Sequence, residues 1–183
     1  TAATESAGSP ETAEAAPSQG GPSPSTPAAN EPAATPPVRT ATPRPANPSS
    51  ASFVADGEAA YDEGYQLWLQ KRYPQAIASL RAMASSFPGH RRVSWANNLA
   101  GRALLDSGQP RAAAEALLAN YRSNPKGERA ADSLFYLGQA LVALKQAPQA
   151  CKAYAELEEV YGASMRAELA RLLPDAKAKA GCR

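Results

Sequence analysis

At 183 residues and a formal net charge of +2, the chain has room for one ordinary domain and carries no cationic excess that would draw it to nucleic acid. No apolar run approaches the roughly 18 residues that a membrane-spanning helix needs. Two cysteines, Cys151 and Cys182, are too few to define a disulfide framework and leave a single bridge open.

Composition splits the chain near residue 52. Eleven of the seventeen prolines lie in residues 1–50, where Ala, Ser, Thr and Gly supply most of the rest and no Leu, Ile, Phe, Tyr or Trp occurs. Such a segment buries too little apolar surface to offset its ordering entropy, so 1–52 reads as a disordered, locally extended linker. Pro43-Arg44-Pro45 is a lone Pro-rich match in a basic context, and the spacer reading outweighs a recognition motif there. The chain starts at Thr1, without Met or a signal peptide, and reads as processed from a longer precursor.

From residue 53 onward the pattern is a repeat with a period of 37: Gly64, Gly101 and Gly138 recur at that spacing. So do Ala76, Ala113 and Ala150, then Leu67, Leu104 and Leu141, then Leu80, Leu117 and Tyr154. Pro88, Pro125 and Gly162 close the units. The reading is a glycine on each first helix that meets an alanine on the second, with the large apolar rows filling the space around that contact. Apolar periodicity predicts helices at 57–70 and 75–86, 92–107 and 110–123, and 129–144 and 148–161. Pro74, Pro110 and Pro148 fall in first turns, where a missing N–H costs little, and Gly108 ends a helix. A further amphipathic segment at about 164–180 reads as a cap over the last hairpin's apolar face, kinked or interrupted at Pro174.

This spacing resembles the tetratricopeptide (TPR) family, whose usual period is 34 residues; the extra residues would lengthen a helix or the inter-repeat turn. The resemblance implies an all-α, TPR-like solenoid of three helical hairpins, at about 57–90, 94–127 and 131–164, inside a domain spanning 53–183. First helices of such arrays line the concave side. Helical spacing therefore selects Tyr61, Tyr65 and Trp68 from the first repeat, Trp95, Asn98, Arg102 and Asp106 from the second, and Asp132, Phe135 and Gln139 from the third. Aromatic area with a few amide and guanidinium donors suits a peptide groove, although about half of such aromatics pack between hairpins whatever the function.

Catalytic signals are absent. His90, the single histidine, follows Pro88-Gly89 and reads as a surface turn residue, with His90-Arg91-Arg92 capping a helix end. No phosphate-binding glycine loop and no G-x-S-x-G pattern occurs, and the acidic residues read as solvated faces or helix-dipole partners. No catalytic residue, cofactor or metal ligand is expected.

Three segments carry a closer resemblance: Tyr61-Asp62-Glu63-Gly64-Tyr65, Lys71-Arg72-Tyr73-Pro74-Gln75-Ala76-Ile77 and Phe87-Pro88-Gly89-His90. With Ala96-Asn97-Asn98-Leu99-Ala100-Gly101-Arg102-Ala103 and Ser133-Leu134-Phe135-Tyr136-Leu137-Gly138, they are similar to the repeats of the periplasmic TPR family of the Tol-Pal system, the YbgF/CpoB cell division coordinators. The resemblance spans about 57–162. It implies a non-catalytic periplasmic scaffold that binds TolA and coordinates outer-membrane constriction with septal peptidoglycan synthesis. It also implies an oxidising compartment, and with it a Cys151–Cys182 bridge. The family's trimerising coiled coil has no counterpart here, because residues 1–50 contain no apolar heptads.

Two other scaffolds share parts of this pattern. One is a TPR component of outer-membrane protein assembly, a lipoprotein class for which a mature N-terminal cysteine is expected. The other is a cytosolic TPR adaptor clamping a C-terminal carboxylate, which needs more inward cations than Arg102 supplies. An envelope enzyme acting on peptidoglycan, with the repeats as an accessory module, would need a catalytic domain for which the residues outside 52–183 offer no room.

Overall fold

The computed structural model describes residues 49–182, and they form seven α-helices with no strand among them. The predicted linker at 1–48 lies outside the described residues. The helices are α1 (Ser50–Leu69), α2 (Tyr73–Ser86), α3 (Val93–Asp106), α4 (Pro110–Ser123), α5 (Ala130–Ala143), α6 (Ala147–Tyr161) and α7 (Ala167–Ala180). They build the expected TPR-like solenoid of three hairpins, α1–α2, α3–α4 and α5–α6, with α7 as the cap.

Local chemistry explains most boundaries. Pro74, Pro110 and Pro148 occupy the first two positions of α2, α4 and α6, where no intrahelical N–H bond is lost. Each first helix ends on a left-handed residue: Lys71 (φ 59°), Gly108 (φ 76°) and Lys145 (φ 59°). The next amide N–H donates back to the carbonyl of Leu67, Leu104 or Leu141 at 2.8–2.9 Å, which closes a Schellman motif at each position. These turns recur every 37 residues, and the extra length over a 34-residue unit resides in the longer connections at 87–92 and 124–129.

The large apolar rows fill the space against the glycines, as the spacing predicts. A Cβ on Gly64 or Gly101 would stand 2.6 Å from the Leu80 or Leu117 side chain, and one on Gly138 would enter the Tyr154 ring. The glycine therefore receives the large residue sixteen positions later, and Ala76, Ala113 and Ala150 are fully buried.

Three expectations are corrected. First, α1 begins at Ser50 rather than 57, so the predicted linker boundary at 52 falls inside a helix. Its N-cap Ser49 accepts a hydrogen bond from the Ser52 amide at 3.2 Å, and the added turns place Phe53 against Phe87 and His90. Second, His90 is buried, not a surface turn residue: its Nδ1 accepts the Arg92 amide N–H at 3.1 Å, and its Nε2 lies 3.1 Å from the Val54 carbonyl. Third, Pro174 does not interrupt α7; both Pro174 and Ala170, whose carbonyl loses its partner, are exposed to water. Asp132, in the first turn of α5, is of the helix-dipole kind and is buried.

First helices touch first helices, α1 with α3, α3 with α5 and α5 with α7, whereas the second helices meet only their neighbouring first helices and the cap. The side lined by α1, α3, α5 and α7 is therefore the inner one. The cap stands where a fourth repeat would begin, burying Leu169, Leu173 and Ala176. A disulfide between Cys151 and Cys182, with Cα atoms 5.4 Å apart, ties its end to α6.

A candidate peptide-binding cleft

On this inner side a cleft of about 490 Å³ opens between α1, α3, α5 and the start of α7. One wall is an aromatic column along α1. Tyr61 stacks on Tyr65 with 6.3 Å between ring centroids, and Tyr65 stacks on Trp68 at 6.0 Å. Spacings of three and four residues put these rings on one helix face. Tyr61 is 8% exposed and meets Trp95 edge-on, so it is largely a packing residue, while Tyr65 is 37% exposed and faces the opening.

From α3, Arg102 reaches into the cleft between two rings, 4.8 Å from the Trp68 centroid and 4.4 Å from that of Tyr136. Its Nε is buried with no hydrogen-bond partner, and the guanidinium forms no ion pair among the described residues. Two nearby carboxylates are held by indole N–H groups, while Asp62, on the cleft's α1 side, forms no ion pair among the described residues. Trp68 Nε1 donates to Asp106 Oδ2 at 2.8 Å, and Trp95 Nε1 donates to Glu128 Oε2 at 3.0 Å.

The far wall is ionic. Asp132 accepts from Arg129 Nη1 at 3.2 Å and from Arg166, and Arg166 also reaches Glu168 at 3.4 Å. Burial works against the Arg166 charge, but the hydrogen bond it donates to Asp132 and the carboxylate's charge outweigh it and raise the pKa above the ordinary arginine value. Arg129 lies 3.5 Å over the Trp95 ring, a cation–π contact that removes it from the cleft's free donors. Burial also pushes the Tyr136 phenol above its usual value, against the opposing charge of Arg102.

Of the residues selected from the sequence, Tyr61, Tyr65, Trp68, Trp95, Asn98, Arg102 and Asp132 line this cleft. Asn98 is not a groove donor: it is 5% exposed, and its Nδ2 donates to Ser133 Oγ at 3.1 Å. Ser133 also receives Asn120 Nδ2 at 2.9 Å and donates to the Arg129 carbonyl, so this buried network welds the second and third hairpins. Asp106 serves Trp68. Phe135 and Gln139 lie outside the cleft, in a second cavity of about 260 Å³ beside α7, and Phe135 is only 1% exposed because it packs on Tyr154. The cap displaces them from the main groove by filling the next inter-helix position.

Sequence reasoning missed Arg129, Arg166 and Tyr136. For the two arginines the signal was present at the same period: Arg92, Arg129 and Arg166 each precede a first helix or the cap and reach back to Glu58, Trp95 and Asp132, which are spaced by 37 themselves. At the first of these junctions Glu58 sits below the usual carboxylate range: burial opposes its charge, but hydrogen bonds from Arg92 and Arg91 prevail.

Among the described residues no group of three His, Cys, Asp or Glu side chains could hold a metal ion, and no helix is long and apolar enough to cross a membrane. The cleft is suited to stack flat or apolar groups and to donate N–H bonds. No protein-family model matches the chain, and no curated protein matches it.

Proposed function

We propose that the chain is a non-catalytic scaffold that holds a segment of another protein in this cleft. The observation that carries the reading is a cleft walled by aromatic rings and closed by side chains from three hairpins and the cap, with one guanidinium left open to a partner. Rigid aromatics offer contact area at low entropic cost, and a central arginine is a frequent hot spot.

The bonded Cys151–Cys182 pair supports an oxidising compartment, and the repeat segments resemble the periplasmic Tol-Pal scaffold family. TolA is therefore the first partner to test. In that reading the protein is periplasmic and coordinates outer-membrane constriction with septal peptidoglycan synthesis during cell division.

The test is calorimetric titration of the chain with the periplasmic part of TolA, repeated with Arg102→Ala. Saturable binding, weakened at least about tenfold by the substitution with helicity unchanged, is the expected result. Arg102 is a cleaner probe than Trp68, because Trp68 also packs on both hydrophobic clusters and bonds Asp106, so its removal loosens α1 from α3. Absence of binding would reject TolA and move an outer-membrane protein assembly role to the front.

A further inference from the structure

We propose that the cleft selects its partner through an internal Asp or Glu side chain, which Arg102 holds between Trp68 and Tyr136. This deepens the peptide-scaffold reading and rests on it. Of the cations lining the cleft, Arg129 and Arg166 share Asp132, and only Arg102 pairs with no carboxylate among the described residues. Its closest acidic neighbour on the same helix, Asp106, lies one turn away and is occupied by the Trp68 indole.

Two flanking rings fix the guanidinium plane, so the side chain loses little further freedom on binding. The buried Nε has no acceptor, so the guanidinium is left without a hydrogen-bonded anion, and an incoming carboxylate can engage its terminal nitrogens in the two-bond fork geometry. A neutral carbonyl would engage the same group more weakly. An internal side chain fits better than a chain terminus for two reasons. The cleft runs on past Arg102 in both directions, to the α1 aromatics and to the start of α7, which leaves room for residues on either side. Asn98, the other inward donor that a terminal carboxylate would call on, is committed to Ser133.

The test selects random dodecapeptides, displayed with sequence on both sides, on the immobilised full chain. Selected peptides should share one acidic position beside aromatic or aliphatic residues. A synthetic version with both ends blocked should lose about ten- to a hundredfold in affinity when that Glu becomes Gln. Arg102→Gln should bind the Glu and Gln peptides equally, and Arg102→Lys, which keeps the charge without the fork, should fall between. The peptide-side comparison is made on the unaltered protein and holds even where a variant folds poorly.

Selected peptides that lose nothing on Glu→Gln, or lose as much on Arg102→Gln as on the native chain, would overturn acid recognition while leaving a peptide groove. Binding only by peptides with a free C-terminal carboxylate would also overturn it. Failure of any peptide to saturate would remove the groove reading and this inference with it.

Discussion

Three positions show how single residues set the spacing of the hairpins. Gly64, Gly101 and Gly138 lack a Cβ where the side chains of Leu80, Leu117 and Tyr154 press against the helix. Alanine at each site gains about 1 kcal/mol of helix propensity but overpacks a buried contact, which typically costs about 1–3 kcal/mol. A leucine can turn its methyl groups aside. The Tyr154 ring cannot, because it is 1% exposed and packed against Phe135. Gly138→Ala is therefore expected to destabilise the protein by about 1–2 kcal/mol in urea unfolding, and more than Gly101→Ala does. Equal or greater stability of Gly138→Ala would mean that the third hairpin is packed more loosely than the structure shows. The glycine row and the large row beside it were both legible in the sequence, because the contact recurs with the repeat.

At the scale of elements, the hairpins were legible to within about two residues at most ends, since proline in first turns and the apolar rows mark them independently. The start of α1 was not. Its first turns offer little helix propensity or periodicity, and what orders them is tertiary: Phe53 on Phe87, and His90 at the Val54 carbonyl. The cleft was half legible for a related reason. Periodicity finds the inward face of a helix but does not say that α7 will cover Phe135, or that Ser133 will claim Asn98. The cap itself is held by one apolar stripe and by the bridge to Cys151. A loop with a sequence separation of 31 contributes about 3–4 kcal/mol on the chain-entropy account. Reduction should lower the melting temperature, and amide exchange should accelerate first in α7. An unchanged melting curve under a strong thiol reductant would show that the bridge adds no stability.

Across the whole molecule, two hydrophobic clusters, one centred on α1 to α3 and one running from the second hairpin to the cap, are bridged by Trp68, which packs on both. Tyrosines are built into this scaffold in ways that make it sensitive to alkali. A hydrogen bond to Glu156, with burial and the Glu156 charge adding to it, pushes the Tyr121 phenol up to about 12, and burial alone takes Tyr154 to about 12. The ordinary value of 10 applies once the chain unfolds. Above that value the unfolded chain therefore gives up protons that the folded chain still holds, so stability falls as pH rises. The contribution is intact below pH 10 and is lost on the way to about 12. Tyrosinate absorbance and far-ultraviolet circular dichroism followed together should show these groups ionising only as helicity is lost. Tyr154 reports most directly, since its ring fills the space left by Gly138 and cannot reach water while α5 and α6 stay paired. Complete tyrosine ionisation near pH 10 with the helical signal unchanged would contradict the packing of the third hairpin, and with it the rigid support that holds Tyr136 against Arg102.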